Sequence, residues 1–385
     1  MTSAHSPAAA VRRAYVDQAA ISYSFYVVGA SVAFIALALS LSETQAGLHS
    51  SAMAVGMIVA GVAGERFDRL IGVRRSHFVG MGLLVMSLLV LAWAPSLAGT
   101  LTGSLGIGLG AGVMFGHVNQ TLGVGGGAQT RLQLGRSALV AKTSQLVVPI
   151  AIGLGIAIGL GWQFVIVPAI GLVAVLFATK RADRGQMAAH VARGRLPWAY
   201  WLPWLLAVTV IGVEFFVIVW GGSLVEHQTG VSLADATLTI SAFIAGLILA
   251  RVVMSVRAMG QLDPMVVIRV GLVVSFVAVL VPWLSESYVV SAAGLFVAGF
   301  GIGVLYPPAA SIALAAVPDQ SAAASARLVS AAGVAILVAP LVLGMAAELS
   351  DLTIAWLLVP ATCVGALVLS VPVERARGGR VDGAS

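Results

Sequence analysis

The amino-acid sequence predicts an all-α membrane protein in which twelve transmembrane helices form two pseudo-symmetric six-helix bundles. Three observations predict this fold class: a composition suited to lipid, a series of long apolar segments, and an internal repeat. Of the 385 residues, 59% are hydrophobic and only 9% are charged, whereas soluble domains average about 25% charged residues. Such a chain cannot cover its surface with charge in water, so lipid is the expected solvent.

The apolar segments have the length of membrane-spanning helices. Such a helix needs roughly 20 mostly apolar residues, and the runs here are continuous, which favours helices over the alternating strands of a membrane β-barrel. Little sequence remains between them, so no soluble catalytic domain is expected. The predicted spans, bounded by charge, proline or glycine, are 17–41, 46–64, 76–94, 97–121, 137–159, 162–179, 202–224, 234–256, 265–284, 288–314, 327–347 and 352–373.

The basic residues predict the orientation of these spans. With the N-terminus in the cytoplasm, all basic loop residues fall on the cytoplasmic side, and the predicted outer loops contain acidic residues such as Glu43 and Glu286 but no Lys or Arg. Short loops that carry positive charge stay in the cytoplasm. We therefore predict an inner-membrane protein with both termini inside, and its net charge of +6 needs no nucleic-acid partner. The predicted organisation is a cytoplasmic tail (1–16), a first bundle (17–179), a cytoplasmic linker (180–197), a second bundle (198–373) and a cytoplasmic tail (374–385).

An internal repeat relates the two predicted bundles. The segment GLGAGVMFGH (108–117) recurs as GFGIGVLYPP (299–308), an offset of 191 residues. The same offset relates Arg136 to Arg327, and an offset shorter by one residue relates 51–60 to 241–250. Two parallel repeats of six helices, with the substrate near the bilayer midplane between them, are one of the known plans of secondary transporters.

Together with this repeat, the segment GERFDRLIGVRR (64–75) resembles the loop signature G-x-x-x-D-R-x-G-R-R of the major facilitator superfamily, with one extra residue before the second glycine. The resemblance covers essentially the whole chain. It implies transport by alternating access and a cytoplasmic gate at this loop, in which a carboxylate acts as a latch; the alternative is that these charges only anchor the loop at the lipid headgroups. The residues assigned to the gate are Gly64, Asp68, Arg69, Gly72, Arg74, Arg75 and, in the second repeat, Arg251.

Ionisable side chains inside membrane helices are costly, so each is a functional candidate. Glu214 lies midway along the seventh span among apolar neighbours and is the first candidate for proton coupling or for binding a substrate. Asp17, at the start of the first span, is a candidate for helix capping, gating or coupling. Further candidates are His117, Asn119, Gln120, Lys142 and Gln145 in the fourth and fifth spans. The resemblance implies that spans 1, 4, 7 and 10 line a central cavity, where the aromatic candidates are Tyr23, Tyr26, Phe215, Trp220 and Tyr306.

These patterns predict a secondary active transporter for a small solute, coupled to protons. Pro149 and Gly153 match part of an exporter signature, which favours efflux of a metabolite or drug-like compound over uptake of a sugar or organic acid. A non-transporting membrane sensor is the alternative from another class. We predict no enzyme, because the ionisable residues are scattered, and no cofactor or metal. The expected partners are the solute, protons and the lipid bilayer, and the expected functional unit is a monomer.

Overall fold

The structure is a computed structural model, which describes residues 7–41, 43–123, 127–181, 196–231, 233–256 and 261–381. Within these ranges the chain is almost entirely α-helical, with short 3-10 turns at Trp162–Val165 and Pro318–Gln320. The helices are α1 (Pro7–Leu39), α2 (Glu43–Ile71), α3 (Val73–Trp93), α4 (Leu97–Gly123), α5 (Gly127–Ala157), α6 (Ile166–Arg181), α7 (Trp198–Thr229), α8 (Leu233–Met254), α9 (Pro264–Leu284), α10 (Tyr288–Gly303), α11 (Tyr306–Ala315), α12 (Ser321–Leu349), α13 (Leu352–Ala355) and α14 (Leu358–Val381).

Most of these helices can cross a lipid bilayer. Among the described residues, nine helical segments are long and apolar enough to do so, and the apolar helices at Trp162–Leu176 and Thr239–Met254 are shorter. Many large apolar side chains on these helices are exposed, including Leu37, Met86 and Val368. Exposed side chains of this kind are suited to contact with lipid, so the chain is a multi-pass membrane protein.

Two predicted spans are each divided into two helices. The tenth span, predicted as one helix over 288–314, is interrupted at Val304 and Leu305, so that α10 and α11 together form it. Pro307 and Pro308 follow the interruption, and proline has no backbone N–H to continue the hydrogen-bond ladder of the preceding helix. The twelfth span is likewise formed by α13 and α14, and α14 continues to Val381, beyond the predicted helix end at 373. Most of the predicted linker, 182–195, lies outside the described residues.

The residues form two compact units. Unit 1 consists of residues 1–124, 140–195 and 319–334, and unit 2 of residues 125–139, 196–318 and 335–385. In unit 1, α4 is central and packs against α1, α2 and α3. In unit 2, α10 packs against α8 and α9, and α14 packs against α7 and α9.

Glycines of the internal repeat make equivalent helix contacts in each unit. Gly108 on α4 lies so close to α2 that a Cβ atom there would overlap the carbonyl oxygen of Met53, and Gly299 on α10 stands in the same relation to Phe243 on α8. Small residues allow membrane helices to approach this closely. The repeat detected in the sequence is therefore also a repeat of helix packing.

Candidate functional site

A chain of four buried ionisable side chains lies inside unit 1, one from each of the helices α1 to α4. The Nε2 atom of His77 is 3.1 Å from Oδ1 of Asp17, and its Nδ1 atom is 3.2 Å from Nδ1 of His117. The Nε2 atom of His117 is 3.0 Å from Oδ2 of Asp68. Hydrogen-bond distances thus connect Asp17 to Asp68 through two imidazole rings. We call these four residues the Asp–His chain.

The ends of four helices position these side chains. Asp17 lies in the first part of α1, Asp68 in the last turn of α2, His77 in the second turn of α3, and His117 about two turns before the end of α4. Gly72 makes the reversal between α2 and α3 possible, because its φ of 84° lies in the left-handed region that favours glycine. All four groups therefore meet near one end of the unit.

The Asp–His chain is almost completely removed from solvent. The exposed fractions of the side chains are 7% for Asp17, 1% for His77, 7% for His117 and 11% for Asp68. An ionised carboxylate only accepts hydrogen bonds, whereas a neutral imidazole has one donor and one acceptor nitrogen. When both carboxyl groups are ionised, each Nε2 atom donates to its carboxylate. The four groups form one continuous series of hydrogen-bond partners, which can bind and pass protons without an intervening water.

A second buried cluster, in unit 2, pairs a glutamate with an arginine. Nη2 of Arg251 lies 3.6 Å from Oε2 of Glu214, and the side chains are 5% and 12% exposed. Tyr306 also interacts electrostatically with Arg251. The sequence places Glu214 among apolar neighbours and Arg251 in a cytoplasmic gate loop, whereas the structure has Arg251 inside α8, facing Glu214. Opposite charges offset part of each other's burial cost, which explains how both are tolerated.

The residues of the loop signature have separate contacts. Arg69 pairs with Glu65 at 3.7 Å on the exposed side of α2, and the guanidinium of Arg74 lies over the ring of Phe78, 5.8 Å from its centroid. Arg75 is exposed, and Gly64 is buried on α2. Of this set, the structure connects only Asp68 to the Asp–His chain.

Other polar candidates lie outside the chain of contacts. Asn119 is buried on α4, and its amide nitrogen has no hydrogen-bond partner among the described residues. Gln120 lines a small cavity beside Asp68 and His117. Lys142 and Gln145 are half-buried on α5.

The aromatic candidates differ in environment. Tyr23 is 1% exposed, and its hydroxyl donates to the carbonyl oxygen of Val165 at 2.7 Å, so it packs inside unit 1 and does not line an open cavity. The indole N–H of Trp220 donates to the carbonyl oxygen of Pro340 within unit 2. Phe215 and Tyr306 are half-buried, and Tyr26 is exposed.

His77 is the functional candidate that the sequence analysis did not identify. It lies at the edge of the predicted span 76–94, where an ionisable residue is readily taken for a headgroup contact. Its position beside the loop signature was the available signal, because an ionisable side chain in an apolar helix is a candidate by default.

Among the described residues, no three His, Cys, Asp or Glu side chains converge as metal ligands would.

Comparisons with known proteins identify the fold. No protein-family model matches the sequence, and no curated protein matches it. Solved structures do match. The fucose:proton symporter FucP of E. coli aligns with a TM-score of 0.70 at 13% identity, covering 93% of this chain and 98% of that chain. The human organic anion transporter MFSD10 aligns with a TM-score of 0.72 at 15% identity, covering 94% and 99%.

The proton:xylose symporter XylE, bound to 6-bromo-6-deoxy-D-glucose, aligns with a TM-score of 0.71 at 14% identity, covering 94% of each chain. The chain has the major facilitator fold. The predicted fold class of twelve helices in two six-helix bundles is thereby confirmed. At sequence identities of 13–15%, these alignments show a shared fold. The roles of individual residues are argued from the contacts within this chain.

Proposed function

We propose that the protein is a secondary active transporter that moves a small solute across the cytoplasmic membrane by alternating access, coupled to protons. The observation that carries this proposal is the buried Asp–His chain. Four buried ionisable side chains that contact one another are expensive to keep, and imidazole is the side chain whose charge changes most readily near neutral pH. A cluster of this kind is suited to taking up and releasing a proton during a transport cycle.

The structural neighbours support transport of a small solute. Two of them are proton symporters, for fucose and xylose, and one is an organic anion transporter. All three are transporters and none is an enzyme, and among the described residues the two polar clusters of this chain contain no nucleophile with an activating base. Transport is therefore favoured over catalysis.

The direction of transport has two candidate answers. The partial exporter signature at Pro149 and Gly153 favours efflux of a metabolite or drug-like compound. The two sugar symporters among the neighbours favour proton-coupled uptake instead. Both directions need a protonatable cluster, so the Asp–His chain supports proton coupling without selecting between them.

The loop between α2 and α3 is proposed to act as the cytoplasmic gate, with Asp68 as its latch. Asp68 contacts His117 within unit 1, so a movement of the loop would change the end of the Asp–His chain. Gate position and protonation would then depend on each other. The competing role of the loop charges is anchoring at the headgroups, which would leave transport unchanged in Asp68→Asn.

Proton movement in proteoliposomes tests the transport proposal. Purified wild-type protein is reconstituted with a pH-sensitive dye inside the vesicles, and fucose, xylose, benzoate or tetraphenylphosphonium is added outside. We expect one of these solute classes to drive proton movement, inward with the solute for symport or in the opposite direction for exchange. We expect Asp17→Asn to lower this proton flux at least tenfold.

The matched control is Asp319→Asn, because Asp319 belongs to the same unit and is exposed. It should retain wild-type flux. Binding of a solute without any solute or proton movement would support a membrane sensor and overturn the proposal. Solute movement with no proton movement would leave transport standing and remove proton coupling.

A further inference from the structure

We propose that the Asp–His chain binds three protons, and that the third lies between the Nδ1 atoms of His77 and His117. This inference deepens the proposed function, because it identifies the bound proton that would couple to transport. It assigns that proton to a contact between α3 and α4. The coupling proton would then be bound neither by Glu214 nor by a single aspartate.

The proton count follows from the three contacts. Each contact joins two atoms at 3.0–3.2 Å, and a hydrogen bond at that distance needs one proton between its two atoms. If both carboxylates are ionised and both imidazoles are neutral, the chain has only two protons. Each Nε2 then donates to its carboxylate, and the two Nδ1 lone pairs face each other at 3.2 Å.

A third proton removes this conflict. It can be drawn as one imidazolium between two carboxylates, or as a protonated carboxyl group beside two neutral imidazoles. In both arrangements one proton lies between the two Nδ1 atoms, and the four groups carry a net charge of −1. Removing that proton leaves a net charge of −2 and two opposed lone pairs, so the His77–His117 contact should open.

Asp17 and Asp68 lie at the two ends of the chain, so each imidazole has one carboxyl group as the partner of its Nε2 atom. Basic side chains of the same unit oppose retention of a positive charge, among them Arg13, which lies one helical turn before Asp17 on α1. The other charged side chains described in unit 1 are Arg12 and Arg13 on α1, Glu65, Arg66 and Arg69 on α2, Arg74 and Arg75 on α3, Lys142 on α5, and Asp319 and Arg327 in 319–334.

A small cavity provides a place from which this proton could be exchanged. It is lined by Asp68, His117 and Gln120, among others, and its volume is about 10 Å³, which is the size of a single water site. It adjoins the Asp68 end of the chain. If the third proton leaves through this cavity, the contact between His77 and His117 opens. Asp68 of the loop signature is then no longer connected to Asp17 on α1.

Solid-state NMR on substrate-free protein tests the shared proton directly. The protein is labelled with ¹⁵N-histidine and embedded in lipid vesicles without any solute. A proton held between two nitrogens produces a through-hydrogen-bond ¹⁵N–¹⁵N coupling. We expect this coupling between His77 and His117, with its loss at high pH as the contact opens.

Two variants separate the shared proton from general effects of losing a histidine. In His77→Gln the amide can still donate to Asp17, but it cannot hold a proton against Nδ1 of His117, so the coupling must disappear. In the control His49→Gln it must remain, because His49 is buried in the same unit and its two ring nitrogens have other partners, the carbonyl oxygen of Ala46 and the hydroxyl of Thr100. Assigned His77 and His117 resonances without any coupling between about pH 5 and pH 9, a range around the usual histidine value of about 6.5, would overturn the inference.

Flux measurements separate this inference from the proposed function. We expect His77→Gln to lower solute-driven proton movement at least tenfold and His49→Gln to leave it unchanged. If the nitrogen coupling is present but no solute drives proton movement, the shared proton stands and the transport proposal fails. If transport is proton-coupled and the nitrogen coupling is absent, the transport proposal stands and the shared proton fails.

Discussion

At the scale of single residues, the two buried polar clusters differ in chemistry. The Asp–His chain joins carboxyl and imidazole groups that contact one another, so each has a partner to which it can pass a proton. Glu214 and Arg251 form a pair of opposite charges, and arginine does not lose its proton in proteins. We therefore propose that the Asp–His chain binds the proton and that Glu214 serves to pair the charge of Arg251.

Removing one member of the Glu214–Arg251 pair should destabilise the protein. Glu214→Gln leaves the buried guanidinium uncompensated, which costs about 3 kcal/mol. The double variant Glu214→Gln/Arg251→Met removes both charges and should recover most of this loss. Apparent melting temperatures of the detergent-solubilised variants provide the measurement.

Glu348→Gln serves as the control, because Glu348 is exposed at the end of α12. Equal melting temperatures for wild type and Glu214→Gln would contradict a stabilising pair. A double variant that is stable but shows no proton flux would instead return Glu214 to the coupling role that its mid-helix position suggests.

At the scale of helices, the closest contacts depend on repeated glycines. A Cβ atom on Gly56 of α2 would overlap the carbonyl oxygen of Leu105 on α4. In the same way, a Cβ atom on Gly246 of α8 would overlap the carbonyl oxygen of Phe296 on α10. With Gly108 and Gly299, each unit thus has two glycines through which one pair of helices makes backbone contact. The sequence motif marks these positions, but only the structure shows which helix each glycine touches.

Alanine at Gly108 or Gly299 should force the paired helices apart. The added Cβ would overlap a backbone carbonyl oxygen, which cannot move without shifting the helix, and overpacking of this kind costs about 1–3 kcal/mol. We expect a lower melting temperature and less monodisperse protein in size-exclusion chromatography. Gly82→Ala and Gly365→Ala should behave like wild type, since nothing lies within 4 Å of a Cβ at either position.

The start of α9 has a charged cap outside the membrane-spanning segment. Asp263 accepts hydrogen bonds from the backbone N–H groups of Met265 and Val266, and Arg377 lies 2.8 Å from its other carboxylate oxygen. Burial works to raise the pKa of Asp263, but these hydrogen bonds and the charge of Arg377 together hold it below its ordinary value of 3.8.

Because the pKa of Asp263 is lowered on folding, its stabilising contribution is present above pH 3.8 and is lost as the pH falls through the folded-state value. Asp263→Ala should cost about 1 kcal/mol at neutral pH through loss of the cap, while Asp263→Asn should retain most of the capping. Melting temperatures at neutral pH and about pH 3 measure both effects. An unchanged acid sensitivity in the two variants would contradict this assignment.

At the scale of the whole molecule, the distribution of charge predicts the orientation in the membrane. The variant Glu286→Cys, in a predicted outer loop, should react with a membrane-impermeant maleimide in intact cells. The variant Arg75→Cys, in a predicted cytoplasmic loop, should react only after the cells are lysed. Both native side chains, Glu286 and Arg75, are exposed, and the native Cys363 is buried, so background labelling should be low. The reverse pattern would invert the predicted topology.

Hydropathy, repeat and charge pattern were sufficient to predict the membrane environment, the twelve spans and the major facilitator fold, because lipid requires long apolar helices and duplication preserves their packing motifs. Asp17 and His117 were candidates because ionisable groups are rare in such helices, and Asp68 was a candidate because it belongs to the loop signature. The tertiary structure decided which of them meet. It brought His77 between Asp17 and His117, and it paired Glu214 with Arg251, because contacts between helices distant in sequence depend on their rotation and depth, which hydropathy does not encode.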